Sequence, residues 1–140
     1  MFTRLDLFLQ EDEDNDEVLI TGGIDDTRIA DIEKSLNIIL CAEMKDFLSN
    51  YGYLIGYGLE IYGWGKGDTS NLVKNTLRRR EEGLKDDMLV INDIGELVYC
   101  VDNSNGKVIS WDVSNGDYAE EALDLETYII EQLEEGKDNW

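Results

Sequence analysis

Residues 88–112 contain the pattern that most narrows what this chain can fold into. Three short runs rich in β-branched and aromatic residues are separated by clusters of Asn, Asp and Gly, and they span Met88–Asn92, Glu96–Asp102 and Lys107–Asp112. Such runs and separators are typical of antiparallel strands joined by tight turns. Because consecutive strands with short connections usually pair, the sequence predicts a three-stranded meander.

About five helices are predicted around this meander, from apolar residues spaced for one helical face. The segments are 2–10, a helix capped by Asp25 that runs to Leu36, 42–51, a helix capped by Asp68, Thr69 or Ser70 that runs to about Glu82, and a last helix capped by Asp124. The fourth helix has an apolar face of only Leu72, Val73 and Leu77, so we expect it on the surface. Residues 136–140 are expected to fray.

Two further extended segments are predicted, at 18–21 and at 59–62, where Leu59 and Ile61 alternate with Glu60 and Tyr62. The chain has 140 residues, 42% of them apolar, which is enough for one domain with one core. The sequence therefore predicts a single α+β domain over residues 1–140. Its mainly antiparallel sheet has about four to five strands, including the C-terminal three-stranded meander, and about five helices cover it.

Charge is the strongest global constraint on the binding partner. The chain has 32 acidic residues against 12 basic ones, a net charge of −20. Nucleic acid or an anionic membrane surface would be repelled, so we expect neither as the direct ligand. A basic protein or a metal cation is favoured, and solubility alone is the alternative explanation. The acidic run at 11–17 is predicted to be an exposed connection that adds electrostatic steering.

The sequence also bounds the compartment and the chemistry. The N-terminus lacks a basic segment followed by a long apolar core, and two cysteines are too few for a disulfide framework, so we expect a cytoplasmic protein. No run is long and apolar enough for a membrane helix. His is absent, which excludes Ser-His-Asp and Cys-His catalysis and zinc sites built on imidazole. No cofactor is expected.

Four motifs suggest chemistry, and each has a simpler explanation. Residues 12–16 and 102–106 match a calcium-binding loop only in part, and an acidic loop and a hairpin turn are favoured. The glycines at 63–67 precede a helix but lack the order of a phosphate-binding loop. The basic residues 78–80 are expected to engage neighbouring acids on a helix surface. Cys41 and Cys100 are expected to be buried small apolar residues.

Carboxylate pairs keep an enzymatic alternative open, because acid–base chemistry by Asp and Glu needs no His. Asp93 and Glu96, at the first meander turn, are the pair to inspect. Among the aromatic residues, Trp111 is expected in the core, whereas Tyr57 and Trp64, which lie among glycines, are expected to be exposed.

The order of these segments resembles the SUKH superfamily. The similar residues at the start are 29–36 (Ile-Ala-Asp-Ile-Glu-Lys-Ser-Leu), 40–48 and Tyr51-Gly52, and those that follow are 89–91, 99–102, Gly106, Val108, Trp111, Leu125 and 128–129. The resemblance spans residues 24–133. Cys41 stands where proline is usual in the family and Met44 where tyrosine is usual.

The resemblance implies a non-enzymatic protein-binding domain. Many bacterial members are immunity proteins that stay in the cytoplasm and neutralise a cognate toxin, and the fungal relatives regulate cell-wall synthesis. A basic toxin domain, such as a nuclease, is therefore the partner that we expect first, and a regulatory adaptor is the alternative. Oligomeric state is left open. The candidate partner-binding residues lie in the glycine-rich segment and at nearby strand ends: Tyr57, Glu60, Tyr62, Trp64, Asp68, Asp93 and Glu96.

Overall fold

The computed structural model describes residues 2–11, 17–64 and 71–139, and within them the chain forms an α+β fold. Its five helices are α1 (Thr3–Glu11), α2 (Asp26–Leu36), α3 (Ala42–Asn50), α4 (Leu72–Glu81) and α5 (Leu125–Asp138). Its seven strands are β1 (Val18–Ile20), β2 (Leu54–Gly56), β3 (Leu59–Ile61), β4 (Met88–Ile94), β5 (Leu97–Asp102), β6 (Val108–Asp112) and β7 (Tyr118–Ala122). The predicted fold class is confirmed.

The strands form two antiparallel sheets, with orders β1-β2-β3 and β4-β5-β6-β7. The predicted meander is confirmed as β4-β5-β6, but β7 extends it to four strands. The sequence of β7, Tyr-Ala-Glu-Glu-Ala, has weak strand propensity, so its pairing with β6 and its contact with α5 decide its conformation. The estimate of about four to five strands was too low, because β2 and β7 were both missed.

A bulge in β4 brings the two sheets together. Ile91 is the extra residue, because the pairing with β5 shifts between Val90 and Asn92. The carbonyl of Ile91 instead accepts a hydrogen bond from the backbone N–H of Tyr62, just after β3, at 2.7 Å. The end of β3 therefore lies beside β4.

The β2–β3 hairpin has a two-residue loop, Tyr57-Gly58, between the paired residues Gly56 and Leu59. Both loop residues have positive φ, 48° for Tyr57 and 82° for Gly58, as a type I′ turn requires. This turn matches the right-handed twist of the strands. A bulky residue is uncommon in such a position, so packing must hold Tyr57 there.

The core has two parts, on opposite faces of the four-stranded sheet. Leu89, Val101 and Val108 face the larger part, which also contains the buried faces of α2, α3 and α5. Val90, Cys100 and Trp111 belong to the smaller part, with Tyr62 and Leu84 from outside the sheet. Trp111 is 4% exposed, which confirms its expected place in the core.

Helix starts agree with the sequence in two of three predicted cases. The side chains of Asp25 and Asp124 accept hydrogen bonds from the backbone N–H groups of Arg28 and Thr127 and so cap α2 and α5. The cap of α4 is Asn71, whose side chain accepts from two backbone N–H groups, so the predicted caps at residues 68–70 were wrong.

The buried face of α4 also differs from the expected one. It consists of Leu72, Asn75 and Thr76, whereas Leu77 is 41% exposed. Thr76 is fully buried because its hydroxyl accepts a hydrogen bond from the N–H of Val90 at 3.0 Å. The spacing of apolar residues cannot predict the burial of a polar residue whose hydrogen bond is satisfied in this way.

The C-terminal helix continues further than expected. Residues 136–138, predicted to fray, are part of α5. Gly136 makes this possible, because a Cβ at this position would lie 2.3 Å from the carbonyl oxygen of Tyr57. The close approach of α5 to the β2–β3 turn orders the helix end. None of the helices in the described ranges is long and apolar enough to cross a membrane.

Candidate functional site

One face of the three-stranded sheet is not covered by any of the residues that the structure describes. Leu19, Ile55 and Glu60 pair across β1, β2 and β3 and so lie in one row. Leu19 is 64% exposed and Ile55 39% exposed. Their strand neighbours Leu54 and Ile61 point to the other side and are fully buried. We call the exposed side the outer face; it consists of Leu19, Tyr53, Ile55 and Glu60.

The carboxylate of Glu60 is held in place on this outer face. The hydroxyl of Tyr53 donates a hydrogen bond to Glu60 Oε2 at 2.5 Å. Both side chains are half-buried. An oriented carboxylate beside two exposed aliphatic side chains is suited to a long cationic side chain, whose stem is apolar and whose head is charged.

Tyr62 connects the outer face with the neighbouring helix α4. Its side chain is 7% exposed. Burial raises the pKa of its hydroxyl, the nearby carboxylates of Glu60 and Asp93 raise it further, and the guanidinium groups of Arg78 and Arg79 partly oppose them. Arg78 and Arg79 both donate hydrogen bonds to Asp93, so these charges lie together at the end of β4.

Asp93 lies between two arginines of α4. Its carboxylate accepts hydrogen bonds from Arg78 at 2.8 Å and from Arg79 at 2.6 Å. Arg79 also pairs with Glu82 at 2.6 Å, and Arg80 donates to the carbonyl of Leu36 at 2.9 Å. The expectation that these basic residues engage neighbouring acids is confirmed for Arg78 and Arg79. It is wrong for Arg80, which donates to backbone carbonyls.

Burial differs strongly within these ion pairs. The side chains of Arg79 and Asp93 are 12% and 9% exposed, against 56% for Arg78. Burial disfavours the charged form of Arg79, but hydrogen bonds to Asp93 and Glu82 more than offset this and raise the pKa of its guanidinium. The pair of Arg79 with Asp93 therefore fixes α4 against the end of β4.

The seven candidate residues from the sequence do not form one site. Glu60, Tyr62 and Asp93 lie in the region just described, and Glu96 is exposed at the β4–β5 turn next to it. Tyr57 lies at the other end of the hairpin against α5. Asp68 lies outside the described residues. The assignment of these residues to partner binding stays a prediction.

Two expected exposures need correction. Tyr57 is only 8% exposed, because α5 packs on it. Trp64 is half-buried, with the guanidinium of Arg28 lying 5.1 Å from the centre of its ring. Glycine neighbours suggested open loops, but the glycines instead allow close approach of other backbone segments: a Cβ at Gly63 would lie 1.8 Å from the carbonyl of Gly52.

Sequence reasoning missed the aliphatic part of the outer face, Leu19 and Ile55. Both occur in short apolar runs, Val-Leu-Ile and Leu-Ile, which a sequence places in the core by default. Only the pairing register shows which members of each run point outward. Alternation along 53–56, where Tyr53 and Ile55 flank Leu54, was the one signal available.

The two thiols and the turn carboxylates suggest no separate chemical site. Burial raises the pKa of Cys100, a fully buried residue, to about 12, and it also raises the pKa of the half-buried Cys41. Asp102 Oδ1 accepts hydrogen bonds from the N–H and the hydroxyl of Ser104, which confirms a hairpin turn. In the described part of the chain, no three Asp, Glu or Cys residues are grouped so as to hold a metal ion.

These features define an α+β domain whose best-exposed candidate surface is a sheet face with apolar and acidic side chains. The family model SUKH_5, described as SMI1-KNR4 cell-wall, matches residues 6–134. The chain therefore belongs to the SMI1-KNR4 family of the SUKH superfamily. Membership supports a protein-binding role of the immunity or regulator type.

Proposed function

We propose that this protein is a cytoplasmic immunity protein that neutralises a cognate toxin domain by stoichiometric binding, without catalysis. The observation that carries the proposal is the outer face, where exposed Leu19 and Ile55 adjoin the oriented carboxylate of Glu60. Apolar side chains give contact area, and the carboxylate gives preference for a cationic partner.

Electrostatics favour a basic partner, such as a nuclease domain. With a net charge of −20, the protein attracts a basic substrate groove over a distance of about one Debye length, ~8 Å at physiological salt. Attraction of this kind raises association rates by about 10–1,000-fold. Fast capture is useful to an inhibitor that must bind before the toxin meets its substrate.

The test takes a candidate toxin domain from the genes that neighbour this one, purified in a catalytically inactive form. We expect a one-to-one complex by light scattering coupled to size exclusion, and we expect calorimetric affinity to fall at least about tenfold between 50 and 500 mM NaCl. Co-expression with the active toxin should restore growth. Absence of a complex, or affinity independent of salt, would contradict the proposal.

A regulatory adaptor is the second candidate, and the cell-wall description of the matching family model favours it. The two roles separate in a strain that lacks any neighbouring toxin gene. An adaptor predicts that deletion of this gene alone changes sensitivity to inhibitors of wall synthesis. An immunity protein predicts no change in such a strain.

The carboxylate-based enzyme or metal binder is the remaining alternative. Asp93 and Glu96 are the residues that it would need, and Asp93 is engaged by two guanidinium groups. We expect the double variant Asp93→Asn, Glu96→Gln to retain neutralisation at saturating protein concentration. Complete loss of neutralisation by a folded double variant that still forms the one-to-one complex would favour the enzymatic role.

A further inference from the structure

Strand β1 lies at the edge of its sheet. It pairs with β2 on one side, and no other strand in the described ranges pairs with its second side. Thr21, which follows β1, donates its N–H to the carbonyl of Tyr53 at 3.2 Å. In an antiparallel pair the inward hydrogen bonds alternate, so Leu19 also points its backbone groups toward β2. The N–H and C=O groups of Val18 and Ile20 therefore point outward.

Natural proteins usually protect such an edge by keeping the strand very short, as β1 is with three residues, or with proline, lysine or a bulge. This chain has no proline, and β1 is the uncharged segment Val-Leu-Ile. Ile20 is 37% exposed in addition to Leu19 at 64%. The edge thus combines outward backbone groups with exposed aliphatic side chains, and these are the two requirements for addition of a further strand.

Charge determines which kind of segment can pair with the edge of β1. Glu17 precedes β1 and is exposed, and Glu60 lies on the same sheet. A second copy of this chain would bring the same carboxylates and another net charge of −20 to the edge, which opposes pairing of two copies. An extended segment with lysine or arginine would instead place a cation near Glu17, next to the edge, and would be attracted by the net negative charge of the chain.

We propose that the edge of β1 binds an extended basic segment of the protein partner as an additional strand. The backbone of the segment pairs with Val18 and Ile20, and its side chains on one side pack on Leu19 and Ile55 of the outer face. This inference rests on the proposed role as a binder of a basic protein, and it assigns the binding surface and the conformation of the bound segment.

The test uses the full chain, labelled with ¹⁵N, and a capped eight-residue probe peptide of alternating Lys and Val. We expect saturable chemical-shift changes at the amides of Val18, Leu19, Ile20 and Ile55, with a dissociation constant on the order of 100 μM. The same peptide with N-methyl groups on alternate residues cannot complete the pairing. It should bind at least about tenfold more weakly. A Glu-Val peptide should not bind.

Matched variants separate the surface from general charge effects. Leu19→Lys places a cation on the outer face and should abolish peptide binding. Ile39→Lys adds the same charge at a residue that is 73% exposed on the α2–α3 connection, and it should change affinity less than about twofold. Ile20→Pro removes one outward N–H and should weaken binding about tenfold. Circular dichroism is the check that each variant is folded.

Three results of the peptide experiments would overturn the inference. They are shift changes confined to other elements of the wild-type protein, equal binding of the methylated peptide, and equal effects of Leu19→Lys and Ile39→Lys. Dimerisation of the wild-type chain that Leu19→Lys abolishes would make a second copy the occupant instead. If Leu19→Lys loses the peptide but still neutralises the toxin, the surface assignment fails and the proposed function stands.

Discussion

The side chain of Glu43, on α3, accepts a hydrogen bond from the backbone N–H of Leu125 at 2.8 Å and so binds the N-terminus of α5. The two residues are 82 positions apart in the sequence. Burial raises the pKa of Glu43; the hydrogen bond from Leu125 lowers it in part, and the carboxylates of Asp124 and Asp46 raise it further. A carboxylate that stabilises a helix start thus lies in surroundings that disfavour its charged form.

The raised pKa predicts how stability depends on pH. The carboxyl group of Glu43 binds its proton more tightly in the folded protein than in the unfolded chain, where its pKa is near 4.5. Binding of this proton stabilises the folded protein fully below pH 4.5. The stabilisation is lost as the pH rises through the pKa of Glu43 in the folded protein. Glu43→Gln keeps an acceptor for Leu125 without the charge. We expect it to unfold at higher urea concentration than the wild type at pH 7.5, with the difference shrinking toward pH 5.

Glu131→Gln is the control for Glu43→Gln, because it removes one charge from an exposed position of α5. It should leave the dependence of the urea midpoint on pH nearly unchanged. If both variants shift the pH dependence equally, the effect belongs to net charge and not to the burial of Glu43.

Two turns of the four-stranded sheet have the same sequence pattern and the same hydrogen bonds. Asp102-Asn-Ser-Asn-Gly106 and Asp112-Val-Ser-Asn-Gly116 each use the Asp carboxylate to accept from the N–H and the hydroxyl of the Ser. Both glycines have positive φ, 78° and 79°. The matching hydrogen bonds give this short repeat in the sequence its structural meaning. The one position that differs is Asn103, against Val113.

Because only the first turn has an Asn at this position, we expect substitutions in the two turns to change the free energy of unfolding by different amounts. Asn103 accepts from the N–H of Cys41 at 2.7 Å and donates to the carbonyl of Ile39 at 2.8 Å, so it holds the start of α3. We expect Asn103→Ala to lower the free energy of unfolding by about 1–2 kcal/mol, measured by urea denaturation. Ser104→Ala and Ser114→Ala should each cost under about 1 kcal/mol and resemble each other. Three equal costs would contradict a special role for Asn103.

The local structure of this chain was readable from its sequence to a large extent. Meander strands, caps at Asp25 and Asp124, and the family all follow from residue patterns of short range. Side-chain alternation and turn residues determine these features with little help from the rest of the molecule. The strands β2 and β7 are the exceptions. In β7, only the neighbouring elements make an acidic, Ala-containing segment extended.

The candidate site was harder to predict from the sequence, because it depends on contacts between distant segments. Glycines near Tyr57 and Trp64 predicted open loops, whereas they allow close packing of backbone. Exposure of Leu19 depends on which side of a three-residue strand meets the core, and one step of register reverses it. Composition predicted the acidic character of the surface but not its location.

The two arginines that bind Asp93 should contribute different amounts to the free energy of unfolding. Arg79 is 12% exposed, and its removal leaves the carboxylate of Asp93, 9% exposed, with weaker compensation. We expect Arg79→Ala to lower the free energy of unfolding by about 2–4 kcal/mol. Arg78 is 56% exposed, so Arg78→Ala should cost under about 1 kcal/mol. Thermal or urea unfolding measures both, and a larger cost for Arg78→Ala would refute the assignment.

Replacing Gly136 by alanine should destabilise the protein, although this substitution in a helix usually stabilises it. In most helices Gly→Ala stabilises the protein by about 0.5–1 kcal/mol, because alanine has less backbone freedom to lose. Here the added Cβ would lie 2.3 Å from the carbonyl oxygen of Tyr57 and 2.9 Å from its Cβ. The hairpin turn or the end of α5 must then move, so we expect Gly136→Ala to destabilise the protein by about 1–3 kcal/mol.

Glu134→Ala, two residues earlier on an exposed position of α5, is the control for helix propensity and should change stability by less than about 0.5 kcal/mol. Amide chemical shifts locate the change caused by Gly136→Ala: those of Tyr57 and Gly58 should move more than those of the distant β5–β6 turn. A Gly136→Ala protein that melts at or above the wild-type temperature would show that α5 does not depend on this close approach.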